Sequence, residues 1–454
     1  MGDNFLVRTR KAYRMTSTTK DGLRFSGYAR RDEGHSDTFL TQTGPGTPGG
    51  EYLRRFWQPV AFLRELQDLP RREKILGEEL VVFKDRGGRV GVMHLHCCHR
   101  GTSLEYGQVE ERGIRCCYHG RLYDVDGTIL EMPGEPQFEI YKAELAQGAY
   151  PTHVFNGVVF AYMGPPEKKP LFPSYDRFDM PGIEMVPGVR LPFPCNWVQI
   201  KENAMDPAHT ATLHALPGNP FGIAFGVFPE LDFIETPTGM IYVGTRRVDD
   251  KVWIRSTDVL MPNIHCVSSV REEGRELKVV APPWMTLWTV QVDDENSMTF
   301  PFLHVVKDRA IDIGQGNRAL NDTAEEKRRV NLGIGLGQTG DRPYEERQRV
   351  PGDYDAMVSQ GAIPKHSKEN LGTLDRGVVL FRKLLRRSIE AVQRGEDPPY
   401  MYRTDGRPTP TYGTDRVMLA ADVAGNADDP KVLKALGQKT AREYFEKPPL
   451  QALV

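Results

Sequence analysis

Residues 96–121 read HCCHRGTSLEYGQVEERGIRCCYHGR. Four of the chain's six cysteines fall here, as two Cys-Cys pairs, each with a histidine close behind. The pattern is Cys97-x-His99, then residues 100–115, then Cys116-x-x-His119. Turn residues flank both segments: Arg100-Gly101 after the first and Gly120 after the second. The N-terminal MGDNFLVRTRKAYRMTSTTK has no apolar core, so a secretory leader is not expected and a cytoplasmic setting is. In a reducing compartment, clustered Cys and His read as metal ligands rather than disulfides.

Two thiolates and two imidazoles suit two kinds of centre. One is tetrahedral zinc. The other is a Rieske [2Fe–2S] cluster, with the Cys pair on one iron and the His pair on the second. Ligand order favours the cluster. Zinc fingers usually give the Cys pair first and the His pair second, whereas here each loop offers one of each, so that two similar hairpin loops clamp two irons. Zinc, or plain burial of reduced cysteines, are the alternatives. His94 and His96, just upstream on a strand-like run, read as packing or surface residues.

These residues resemble the signature of the Rieske non-heme iron aromatic ring-hydroxylating oxygenases, in their oxygenase (alpha) component. The resemblance implies Cys97 and Cys116 on one iron and His99 and His119 on the other. Three positions depart from it. Cys98 and Cys117 stand where the family often has Pro, so each ligand Cys has a stand-in beside it. Arg121 stands where an aromatic often follows His-Gly. No change removes a ligand; all bear on cluster potential and partner docking.

A cluster only moves electrons, so an enzyme needs a second centre. Residues 202–214 read ENAMDPAHTATLH. His209 and His214 are about 500° apart on a regular helix, so a distortion or helix end is needed for both to face one point. Asp206 precedes His209 by one helical turn, and Pro207 is expected in a first-turn position. Two imidazoles and a carboxylate on one face of iron are the set non-heme Fe(II) oxygenases use. Two hydrogen-bonded helix histidines are the plainer reading of this stretch alone. Asp206-x-x-His209-x4-His214 also resembles the mononuclear-iron motif of the same family.

The resemblance places the third ligand on a late helix. In VPGDYDAMVSQG (350–361), Asp353 after the Pro351-Gly352 turn is the choice and Asp355 the runner-up. Helix-start carboxylates favoured by the dipole are the alternative. The resemblance makes Asp206 a relay rather than a ligand, joining His119 of one subunit to His209 of the next in a homotrimer, with Asn203 lining the same region.

At 454 residues, more than one core is expected. The 39% hydrophobic and 26% charged content suits a globular protein, and a net charge of −2 without a basic run argues against nucleic acid. The longest apolar runs, 157–162 and 377–381, are too short for a membrane span. The organisation read is a polar N-terminal arm (1–46), a small all-β cluster domain (47–165), a Pro-rich linker (164–173), an α+β catalytic domain of antiparallel sheet and helices (174–400), and an extension (401–454). The charged stretch 322–353 reads as surface or as a loop over the pocket. GIGLGQTG lacks the strand-to-helix context of a nucleotide loop.

With no flavin or nicotinamide motif, reductant is expected from a separate ferredoxin or reductase. The late stretch resembles the phthalate dioxygenase branch, which includes O-demethylases and ring dioxygenases. The expectation is O-demethylation of a methoxylated, lignin-type aromatic acid by O2, with ring dihydroxylation of a phthalate-like acid as the alternative. A zinc-stabilised binding module is the alternative of another class. A substrate carboxylate calls for an Arg or Lys partner; among 59 basic residues the sequence names none.

Overall fold

The structure is a computed structural model and describes residues 27, 31–216, 223–268, 283–306, 337–403 and 406–450. Most of the N-terminal arm, the first half of GIGLGQTG and the first half of the charged stretch lie outside the described residues.

The cluster region is built from three small antiparallel sheets. β1 (Trp57–Phe62) lies beside β11 (Val158–Tyr162), which pairs β10 (Thr152–Phe155). β2 (Arg71–Ile75), β3 (Glu78–Lys84), β4 (Val90–His94) and β9 (Ala149–Tyr150) form the second. The third is four short strands: β5 (Gln108–Val109), β6 (Ile114–Arg115), β7 (Leu122–Tyr123) and β8 (Ile129–Glu131). Turn chemistry sets register. Phe155 pairs Val158 around Asn156-Gly157, both at positive φ (43° and 74°), which is the mirror-image turn that matches strand twist.

The catalytic region holds, among the described residues, a nine-stranded sheet. Its main path runs β12 (Ile183–Pro187), β19 (Asn296–Val306), β18 (Pro283–Asp293), β17 (Ile264–Ser268), β16 (Lys251–Leu260), β15 (Gly239–Val248) and β14 (Glu230–Thr236). β13 (Leu191–Phe193) pairs β19, and β20 (Thr414–Leu419) pairs β16. All these pairings are antiparallel, so the α+β class expected from the sequence is the class observed.

Three helices matter for the site. α1 (Trp197–Ala204) ends just before His209 and His214. α2 (Asp353–Val358) carries the downstream acid. α3 (Arg376–Gln393) buries Val378, Phe381, Leu384, Leu385, Ile389 and Val392, one apolar stripe at helical spacing. One core runs from Leu40 and Val60 through Trp197, Trp288 and Phe302 to Phe381, so the two regions share their packing. At the join, the Leu76 and Gly77 amides donate to Gln291 and Val292 carbonyls at 2.8 and 2.9 Å.

Two segments are more integrated than their composition suggests. Phe172, in the Pro-rich stretch, stacks on His153 with ring centroids 4.1 Å apart, and Trp57 Nε1 donates to the Pro170 carbonyl. Beyond residue 400, β20 joins the catalytic sheet, and a further helix, Pro430–Glu446, packs on β14 and β15. A six-residue strand whose pairing partner is far away in sequence leaves little local signal.

Candidate functional site: two metal centres

The cluster loops are near copies of one another. The Cys97 amide donates to the Thr102 carbonyl at 2.9 Å, and the Gly101 amide returns to the Cys97 carbonyl at 2.9 Å. The Cys116 amide donates to the Arg121 carbonyl at 2.8 Å, and the Gly120 amide returns to the Cys116 carbonyl at 3.1 Å. Gly101 and Gly120 sit at φ 76° and 71°, a left-handed turn that glycine adopts freely. Between the loops, Cys97 and Cys116 are 3% and 4% exposed, whereas His99 and His119 are exposed with ring centroids 4.7 Å apart.

That polarity separates each Cys from its neighbour. Cys98 and Cys117 are exposed, although Cys98 Sγ still comes within 3.4 Å of the Tyr123 hydroxyl. The Cys98 amide is tied to Gln147 Oε1 at 2.8 Å. Tyr123 places its hydroxyl 2.9 Å from Cys97 Sγ, a hydrogen-bonding partner for a cluster sulfur that the sequence did not single out. His94 contacts Tyr150 Oη at 3.1 Å and His96 the Gly101 carbonyl at 2.9 Å, in keeping with structural roles.

The second centre begins at the end of α1. An Asn196–Gln199 capping box starts the helix: Asn196 Oδ1 accepts from the Val198 amide, and Gln199 Oε1 from the Asn196 amide. The helix stops at Ala204, and a short 3₁₀ turn, His209–Ala211, follows the break. Asp206 and Pro207 lie in that break, not on a helical face or in a helix's first turn. The distortion the His spacing demands is therefore a helix end followed by a turn.

His209 Nε2, His214 Nε2 and Asp353 Oδ1 converge. The separations are 3.2 Å between the two Nε2 atoms, and 3.4 and 3.3 Å from Asp353 to His209 and His214. Ligands about 2.1 Å from one metal and at right angles to one another stand about 3.0 Å apart. The triangle is slightly wider and fits one ion on one face. The electrostatics agree with a charge pair. Burial acts to raise the Asp353 carboxyl, but His214 and His209 outweigh it and hold it well below the usual range. Burial acts to lower His209, and Asp353 outweighs it and raises it.

Asp353 is the first residue of α2, and two amides hold it. Gln338 Nε2 donates to Oδ2 at 2.5 Å, and Asn203 Nδ2 reaches Oδ1 at 3.4 Å. Gln338 carried no motif and was missed. Asp355, the runner-up, accepts from the Gly352 amide and pairs with Arg342 and Arg347 at 3.1 and 2.6 Å, so it caps the helix. Gln199 Nε2 donates to the Met357 and Gly361 carbonyls at 2.9 and 3.0 Å, which fastens the helix before the histidines to the helix bearing the acid. Asp206 Oδ2 is 3.8 Å from His209 Nδ1, beyond hydrogen-bond length, and Asp206 Oδ1 accepts from the Ala208 amide.

A cavity of roughly 160 Å³ reaches this triad. Its wall is mostly apolar, with Phe193, Ile200, Val267, Met285 and Leu287 among the lining residues. Alternate residues of the catalytic sheet supply one side of it.

A two-iron loop pair and an iron-type facial triad beside an apolar cavity define a non-heme iron oxygenase. Comparison with known proteins agrees. The model of the Rieske [2Fe-2S] domain matches residues 56–142. The chain is 41% identical, over 95% of its length and 94% of the relative, to the tert-butanol monooxygenase / tert-amyl alcohol desaturase oxygenase subunit of Aquincola tertiaricarbonis. It is 38% identical (80% and 87%) to phenoxybenzoate dioxygenase subunit alpha of Ectopseudomonas oleovorans. It is 31% identical (84% and 86%) to the 5,5'-dehydrodivanillate O-demethylase oxygenase subunit of a Sphingobium strain. The chain belongs to the Rieske oxygenases, as a terminal oxygenase subunit that takes a [2Fe–2S] cluster and a mononuclear iron and works with an electron-transfer partner. That membership sets aside the zinc-stabilised, non-catalytic module. No helix among the described residues is long and apolar enough to cross a membrane.

Proposed function

We propose that the chain oxidises a methyl C–H bond of a small aromatic acid, most specifically by O-demethylating a methoxylated, lignin-derived carboxylate. The observation that carries this is the apolar cavity opening on His209, His214 and Asp353. The balance is R–O–CH3 + O2 + 2 H+ + 2 e− giving R–OH, formaldehyde and water. The bound irons supply electron storage and oxygen activation.

The residues do the rest. His209, His214 and Asp353 would hold the mononuclear iron beside the cavity. Gln338 and Asn203 orient the carboxylate between them. The apolar wall keeps water from the reacting carbon and places the methyl group nearest the iron. Buried Cys97 and Cys116 and exposed His99 and His119 would hold the cluster, with the histidines on the side open to a partner. Electrons from a ferredoxin or reductase enter there. Asp206, whose side chain is one-third exposed beside His209, would bridge His209 to a cluster histidine of a neighbouring subunit in a homotrimer or a multiple of one. Six free cysteines suit a cytoplasmic setting.

A second reading is hydroxylation of a tertiary alcohol's methyl group, favoured by the 41% relative. Ring dihydroxylation of a phthalate-like acid is the third, favoured by the relative named as a phenoxybenzoate dioxygenase. One test separates them. Fully reduced holoprotein is mixed with oxygen and either 4-methoxybenzoate, phthalate or tert-butanol, and products are analysed after a single turnover. Formaldehyde from the methoxy acid is expected. A cis-diol or a hydroxymethyl alcohol, without formaldehyde, would sink the O-demethylase reading.

A further inference from the structure

An aromatic acid needs a partner for its carboxylate, and an uncommon buried pair sits against the cavity. Lys201, on α1, is fully buried at 0% exposure. A lysine so placed ordinarily faces a carboxylate. Comparably buried arginines do: Arg177 meets Asp258 at 2.6 Å and Arg255 meets Asp415 at 3.5 Å. Lys201 Nζ instead meets His265 Nδ1, on β17, at 2.7 Å. Among the described residues no carboxylate pairs with Lys201. Burial pushes its ammonium well below the usual range, and burial together with Lys201 does the same to His265.

The contact sets the ring's hydrogen. A carboxylate bound in the cavity supplies the countercharge that favours the protonated lysine; the ammonium then only donates, so Nδ1 accepts and the imidazole hydrogen sits on Nε2. His265 lines the cavity that reaches the triad, so Nε2–H is the donor left for its contents. A second polar group lies close by in the sheet. His265 pairs with Val259 of β16, and Thr257, two residues along that strand, also lines the cavity. Its buried hydroxyl has no hydrogen-bond partner among the described residues.

We propose that His265, backed by Lys201, receives a carboxylate oxygen of the substrate and so holds its far end while the methyl group faces the iron. This deepens the aromatic-acid reading and rests on it. His265 touches the substrate; Lys201 is a positioning residue that holds the tautomer and places positive charge behind the ring. Arg255 also lines the cavity but already faces Asp415.

The experiment measures binding to anaerobic holoprotein by calorimetry, with 4-methoxybenzoate and its neutral isostere 4-methoxybenzamide. The wild type is expected to prefer the anion at least about tenfold, as for a buried charge-assisted contact. Lys201→Met and His265→Leu should each erase that preference while benzamide affinity stays within about twofold. Iron content and cluster EPR should be unchanged, and two independent variants guard against misfolding of either. A wild type without anion preference overturns the proposal. So does a preference that survives Lys201→Met and His265→Leu but is lost in Arg255→Gln. Formaldehyde release, read separately, keeps the two claims apart. Formaldehyde without anion preference keeps the demethylase reading and overturns the dyad. Anion preference lost in both variants, without formaldehyde, supports the dyad and overturns demethylation.

Discussion

In the cluster region, one loop carries Cys97 and His99, its counterpart carries Cys116 and His119, and residues 100–115 join them. Each loop closes with the same two backbone hydrogen bonds. In the mononuclear region, His209 opens a 3₁₀ turn and His214 lies in the turn that follows, while Asp353 arrives from a helix far along the chain. The first region sets its geometry within two turns. The second depends on side-chain amides that span the fold: Gln199 ties α1 to α2, and Gln338 and Asn203 hold the carboxylate. A local centre is robust to change elsewhere and legible in one stretch of sequence. A non-local centre is only as well placed as the packing that joins its parts.

The largest effect should come from breaking the non-local arm. Asp353→Ala is expected to lose the mononuclear iron and at least about a hundredfold in turnover, more than an outer-sphere change would cost. Its cluster EPR signal should persist. Asp355→Ala, two residues along the same helix, should keep the iron, because its carboxylate serves Arg342, Arg347 and the Gly352 amide. Iron analysis of the two variants side by side decides the matter; equal iron loss would reopen the ligand assignment.

The local centre has its own internal control. Cys97→Ser should abolish the cluster, while Cys98→Ser should leave its absorption and EPR intact, since Cys98 is exposed and Cys97 buried. A cluster that survives Cys97→Ser would mean that the neighbouring thiol can take over.

Gln338→Ala tests the span more gently. Removing the amide at Asp353 Oδ2 should weaken iron binding about 10- to 100-fold without touching a ligand. Chelator competition measures it, and an unchanged affinity would show that α2 and Asn203 suffice to hold the carboxylate.

The smallest effect concerns the frame around the cluster. Burial acts to raise the Glu78 carboxyl, but His94, Tyr150 and Arg54 outweigh it and hold it at about 2, from 4.5. A depressed carboxyl stabilises the fold above its unfolded value and loses that contribution as pH falls through the folded one. Glu78→Gln should therefore lower stability at pH 7 by on the order of 2 kcal/mol. The gap should shrink as pH drops from 4.5 toward 2. Denaturation midpoints across that range would show it, and a gap independent of pH would assign Glu78 a packing role.

Strand runs such as 239–248 and 251–260 were readable because β-branched and aromatic residues fill them, and a two-residue turn, Asp249-Asp250, joins them as a hairpin. β20 was not, because its partner β16 lies far away in sequence and its six residues carry no turn to announce the pairing. Likewise the Cys-His spacing and the Asp-His-His run named seven of the site's residues or neighbours, while Gln338, Tyr123, Lys201 and His265 had no pattern to mark them. The sequence alone determined which metals the chain is equipped to bind, because loop ligands and turn glycines act over a few residues. Only the tertiary structure decided that Asp353 and not Asp355 faces the histidines, that Cys97 and not Cys98 faces inward, and that one buried lysine stands behind a cavity imidazole. Each of those outcomes depends on which side chains of remote segments meet when the cores close, and that contact has no signature along the chain.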